Sequence, residues 1–235
     1  MANMFTDTGR VEKAVPLLRE ALRTNPNHAE THWELGYAYR HAGLLSESVL
    51  KSERARSLDP GVKLTTSTLT SYLYLGQYQK FLDSLPETDD VSLIAFYRGF
   101  SEYHQNRPDQ AVRDFDRAFE LDPTLFQAQV GKAFAFGIRN QRQKGIDVLR
   151  NAERKINERG VGDPEAIYKV AQAYAVLDDK PAALRVFKHS VESGFFPYPY
   201  FQTDRLLDDL RHEIEFSQLM ESARQRHEAF KRAFL

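Results

Sequence analysis

Few residue sets in this 235-residue chain have types and spacings that could do chemistry. "GVGDPE" at 160–165 has two glycines but not the third of a dinucleotide loop. "VGKAF" at 130–134 lacks the first glycine and the Ser or Thr of a phosphate loop. His212-Glu213 and His227-Glu228 begin like a zinc-protease helix, yet the residues four after each histidine are Phe216 and Lys231. His28 and His32 could share a helix face, but a metal ion needs three or four ligands and no third stands nearby. Cysteine is absent, which removes thiolate nucleophiles, disulfides and Cys-ligated zinc. No G-x-S-x-G signals a nucleophile elbow. The expectation is a chain with no enzymatic activity, no cofactor and no metal.

Composition narrows the partners. Lys plus Arg number 32 against 33 Asp plus Glu, and neither nucleic acid nor an anionic membrane is expected of so balanced a chain. Arg224, Arg226, Lys231 and Arg232 form the one basic cluster, interleaved with Glu221 and Glu228 as on a solvated helix face. No apolar run approaches the roughly 18 residues of a membrane span, and "MANMFTDTGR" lacks a signal core. A cytoplasmic location is expected.

A period organises what remains. Ala14, Leu18, Ala21 and Pro26 lie at relative positions 0, 4, 7 and 12, and Ser48, Ser52, Ala55 and Pro60 repeat them 34 residues on. Ala111, Phe115, Ala118 and Pro123 follow, then Gly145, Leu149 and Ala152, then Ala183, Phe187 and Ser190. Small, large, small at this spacing is one stripe of a helix. Upstream lies a second helical stripe in phase: Leu35, Gly36, Tyr39; Arg98, Gly99, Glu102; Lys132, Ala133, Phe136; Val170, Ala171, Tyr174.

These residues resemble the tetratricopeptide repeat (TPR), with its W-x2-L-G-x2-Y, A-x3-F and P signature, over most of residues 9 to 196. The resemblance implies an all-α, right-handed solenoid of antiparallel helix hairpins, A and B. Repeats are expected near 1–28, 29–62, 63–91, 92–125, 126–163 and 164–197, with capping helices over 201–235. Helix axes approach closely only across small side chains, so Gly36, Gly99, Ala133 and Ala171 are expected opposite Ser48, Ala111, Gly145 and Ala183. A glycine costs a helix about 1 kcal/mol relative to alanine, which packing must repay. Pro26, Pro60 and Pro123 end their B helices.

The period has faults. Pro60 to Pro123 spans 63 residues where two repeats need 68, so the third unit is short; Gly76 is expected in its turn, with Phe81 and Leu85 buried. Gly145 to Ala183 spans 38, so "INERGVGDPEA" lengthens a B helix or its loop. Projected back from Ala14, the first A helix is half missing, which suggests the tail of a longer protein. After Pro197 and Pro199, Thr203 or Asp204 can cap a short helix. Phe216, Leu219, Met220, Ala223, Phe230 and Phe234 then form one face of a long helix covering the last repeat. This ending resembles, more loosely, the C-terminal TPR regions of bacterial multidomain signalling proteins.

By the family's geometry the A helices line a concave wall. Trp33, Tyr37, Arg40, Tyr74, Phe96, Tyr97, Phe100, Tyr103, His104 and Phe134 are expected to form a groove for a partner peptide or helix. Trp33 stands one residue past the usual Trp position, held by His32, and so turns about 100° towards the groove. Lys63, Thr66 and Ser67 share that wall. The clamp for chaperone C-termini is absent, since its positions hold Glu30, Glu34, Lys63, Ser67, Leu93 and Tyr97. A protein or peptide ligand is the expected partner, with self-association open beside it. The alternative is a regulatory or oligomerisation tail of a bacterial kinase, cyclase or transcriptional regulator.

Overall fold

The computed structural model describes residues 2–62, 69–86, 90–159 and 162–235, without the side chains of 155–159. Lys63, Thr66 and Ser67 lie outside it. Among the described residues every regular element is helical. Alternate helices form two sets. The A set is α1 (Ala2–Asp7), α3 (Ala29–His41), α5 (Thr70–Tyr74), α7 (Ser92–His104), α9 (Phe126–Ile138) and α11 (Pro164–Val176). The B set is α2 (Val11–Thr24), α4 (Leu45–Leu58), α6 (Tyr78–Ser84), α8 (Pro108–Leu121), α10 (Arg142–Arg159) and α12 (Lys180–Glu192). α13 (Tyr198–Thr203), a 3-10 turn (Arg205–Leu210) and α14 (Ile214–Phe234) follow.

The small residues mark the A–B crossings as their spacing predicts. A Cβ on Gly36 would lie 2.7 Å from Ser52 Oγ and 3.0 Å from the Ser48 carbonyl oxygen, and Ser48 Oγ donates to the Gly36 carbonyl at 2.6 Å. A Cβ on Gly99 would lie 2.9 Å from the Phe115 ring and 3.0 Å from the Ala111 carbonyl oxygen. At Gly145 the crowding side chain is Leu177, 2.6 Å from such a Cβ.

Each A–B turn passes through one left-handed residue: Gly9, Gly43, Gly76, Asn106, Asn140 and Asp178, with φ of 68°, 81°, 70°, 60°, 57° and 54°. Glycine, asparagine and aspartate tolerate that region best. These turns register the faults in the period: Gly43 to Asn106 spans 63 residues and Asn140 to Asp178 spans 38. The shortfall falls on the third pair, where α5 and α6 have 5 and 7 residues beside 13 in α7 and 14 in α8. Phe81 is buried there, but Leu85, past the end of α6, is only half-buried. The surplus lengthens α10 to 18 residues.

The last helix covers α12 with Phe216, Leu219, Ala223 and Phe230, all buried, and also reaches the start of the chain. His227 Nδ1 donates to the Ala42 carbonyl at 2.7 Å, Arg19 donates to the Phe234 carbonyl, and Arg226 lies 3.9 Å from Glu12. The Phe196 N–H donates to the His41 carbonyl at 3.0 Å. Gly9 and Gly194 touch backbone to backbone; a Cβ on Gly9 would stand 1.7 Å from the Ser193 carbonyl oxygen. The stack closes into a ring.

Candidate functional site

Closure brings α3 and α5 across the concave side to the start of α11. Asp163 caps α11 by accepting from the Glu165 N–H at 2.9 Å, which fixes Glu165 in the first turn facing inward. There Glu165 Oε2 accepts from Arg40 Nη2 at 2.8 Å, in an ion pair whose side chains are 1% and 3% exposed. Oε1 accepts from Tyr74 Oη and lies 3.5 Å from Lys169 Nζ, which itself donates to Tyr74 Oη at 2.7 Å. Burial pushes the Glu165 carboxyl up, but the Arg40 and Lys169 charges outweigh it and hold it well below the usual carboxylate range. Burial, reinforced by Glu165, raises the Tyr74 hydroxyl well above its ordinary value. His41 completes the group, with Nε2 at 3.6 Å from Glu165 Oε2 and 3.8 Å from Asp163 Oδ1.

The chain's own segment after α12 fills the space beside this network. Phe195 packs edge-on against His41 at 5.2 Å, and Tyr200 stacks on Tyr74 at 4.0 Å. Gln172 Nε2 donates to Tyr200 Oη at 2.9 Å, and Asp204 accepts from both Gln172 and Tyr168. Asp204 also caps the 3-10 turn through the Leu206 N–H, as the sequence allowed; Thr203 instead ends α13. With both oxygens of Glu165 engaged, it is a poor general base. The cluster joins α3, α5 and α11.

Two segments of the chain match family models: residues 2–43 match "TPR repeat" and residues 92–125 match "Tetratricopeptide repeat". The chain carries tetratricopeptide repeats. It is 30% identical over 125 residues to the cellulose synthase operon protein C of Escherichia coli (strain K12), covering 53% of this chain and 10% of that one. It is 22% identical over 209 residues to the TPR repeat-containing protein YpiA of Bacillus subtilis (strain 168), covering 85% and 48%. Among solved structures, the APC/C hetero-tetramer Cut9–Hcn1 superposes with a TM-score of 0.58 at 15% identity, over 93% of this chain and 47% of that one, which supports the fold alone. The TPR chain thus spans about a tenth of the length of the curated relatives it first matches. These comparisons do not bear on the signalling-tail resemblance. No helix among the described residues is long and apolar enough to cross a membrane.

The expected groove of the TPR chain is present but sealed. Phe96, Phe100 and Phe134 are 0% exposed, Arg40 1%, Tyr74 3%, Tyr97 5%, Trp33 7% and Tyr37 8%. The open aromatic wall expected for these eight residues is therefore corrected to a ring interior. Trp33 stacks on Tyr37, Tyr37 meets His41 edge-on, and Arg40 lies over Tyr37, while Phe100 and Phe115 pack on Phe134. Tyr103 and His104 alone of the ten stay half-buried. His104 stacks on Tyr78 at 5.9 Å, and Tyr103 packs on Phe134 at 5.9 Å.

The histidine pair at 28 and 32 is occupied otherwise. His28 Nδ1 accepts from the Thr31 N–H, capping α3, and His32 Nε2 reaches the Pro26 carbonyl at 2.9 Å. Sequence reasoning missed Glu165 and Lys169 as a network, although both stand at inward positions of the last repeat. Their partners are 125 and 95 residues away, and no local spacing signals that meeting.

Proposed function

We propose that this TPR protein is a non-catalytic interaction scaffold that engages a partner peptide or helix along the edge of its concave wall. The observation carrying this reading is a strip that ring closure leaves half-exposed. It comprises Tyr78, Tyr103, His104, Ile138 and Val176, at the ends of successive A helices and the start of α6. Tyr103 and His104 stand together on α7, Ile138 lies one turn beyond Phe134 on α9, and Val176 abuts Gly137. Tyrosines on rigid helices, backed by a packed interior, are what binding hot spots use, and Ile138 and Val176 extend the apolar strip beside them. The eight buried groove residues serve as the foundation of that strip rather than as its contact surface.

Site-specific photo-crosslinking tests this. Benzoylphenylalanine at position 103 should give a discrete adduct in cells of the source, whereas the same group at Leu50, exposed on α4, should not. Adducts at 50 and none at 103 would move the interface to the outer face.

A further inference from the structure

His41 poses a problem that the packing leaves unsolved. Its side chain is fully buried, yet neither ring nitrogen has a hydrogen-bond partner. An unsatisfied buried polar group costs roughly 1–3 kcal/mol, so two on one imidazole are conspicuous. Nε2 points at two carboxylates from another element, 3.6 Å from Glu165 Oε2 and 3.8 Å from Asp163 Oδ1, and the three atoms all lie within 4.8 Å of one another.

We propose that His41 Nε2, Asp163 Oδ1 and Glu165 Oε2 form a site for a divalent transition-metal ion of the zinc class, bound across the seam that closes the ring. Ligand spacing supports it: around a tetrahedral ion with bonds of about 2.0–2.1 Å, ligand atoms stand ~3.3 Å apart. The histidine distances exceed that by a few tenths of an ångström. Outer-shell groups are in place, because Arg40 donates to Glu165 Oε2 while Tyr74 and Lys169 hold Oε1. Ligating carboxylates are commonly hydrogen-bonded in this way. An entry path exists at Asp163, whose side chain is 34% exposed, and the fourth position falls to water on that side.

Charge decides which ion. Arg40 and Lys169 already offset the two carboxylates, so an ion bound only through electrostatics to oxygen gains little here. The imidazole nitrogen favours zinc and its neighbours over magnesium or calcium, which take oxygen ligands.

The test uses the full chain, free of any purification tag and stripped with a chelator, titrated with Co(II). One equivalent should bind and develop the visible d–d absorption of a four- or five-coordinate site, and stoichiometric Zn(II) should bleach it. His41→Gln should abolish the band, and Asp163→Asn should weaken binding at least tenfold. A wild-type protein without the band at stoichiometric Co(II) overturns the proposal. So does a band retained in His41→Gln, which would place the ion on another of the seven histidines. If His41→Gln does not fold, Asp163→Asn decides, and wild-type affinity there overturns the assignment.

Discussion

Gly99→Ala adds a single methyl group where three elements meet. In isolation the change should favour the protein, since alanine is better in a helix than glycine by about 1 kcal/mol. The added Cβ, however, would stand 2.9 Å from Phe115 Cδ1 and 3.0 Å from the Ala111 backbone oxygen. Phe115 cannot retreat, because its ring is already wedged against Gly131, where a Cβ would also lie 2.9 Å from Cδ1. The backbone of α8 must therefore move away from α7. Overpacking of this kind costs roughly 1–3 kcal/mol, and the absence of relief puts it at the upper end. The net expectation is a loss of about 2 kcal/mol, near 30-fold in the unfolding equilibrium at about 1.4 kcal/mol per decade. Urea unfolding followed by circular dichroism measures it directly. A double-mutant cycle with Phe115→Leu sharpens the reasoning: trimming the ring should recover part of the Gly99→Ala loss, giving a coupling above about 0.5 kcal/mol. A Gly99→Ala protein as stable as the parent, or strict additivity in the cycle, would refute the wedge.

Three further outcomes are expected. Phe100→Ala and Trp33→Ala should each lower stability, Phe100→Ala by about 3–5 kcal/mol because its ring is wholly buried, as read from urea midpoints. Glu165→Gln strands Arg40 and Lys169 without their counter-charge and should cost about 3–5 kcal/mol, most of it recovered when Arg40→Met is added, by the same assay. Asp116, 2.8 Å from Lys132 and 2.5 Å from Arg139, titrates below the usual range: burial raises it, and hydrogen bonds from Arg139 and Lys132 outweigh burial. Since its folded value is depressed, its contribution is present above the ordinary carboxylate range and lost as pH falls through the folded value. Asp116→Asn should therefore destabilise by about 0.5–1 kcal/mol at neutral pH, with the gap to wild type closing below about pH 4.

The hairpins were legible because they rest on local physics. Small residues at Gly36 and Gly99 declare a helix crossing, and the 63- and 38-residue intervals place the short α6 and long α10 within a few residues. Closure was not legible. It depends on Gly9 meeting Gly194 and on Arg40 meeting Glu165, pairs far apart in the chain that no period relates. The same gap explains the misjudged groove. Helical phase gives the face that Trp33, Tyr37 and Phe100 occupy, but it says nothing of how tightly successive repeats curl, and the curl decides whether that face meets solvent. Tyr103 and His104 are buried less completely than the other eight because they stand at the end of α7.

An open stack of repeats loses order from its two extremities, where each terminal unit has a neighbour on one side only. Here α1 and α2 lean on the segment after α12 and on α14, so the extremities brace each other. The least supported place moves to the interior of the sequence, to α6, which buries only Phe81 among its seven residues. Thermal loosening in this molecule should begin at α6, with α2 and α14 among the slowest helices to exchange their amide protons.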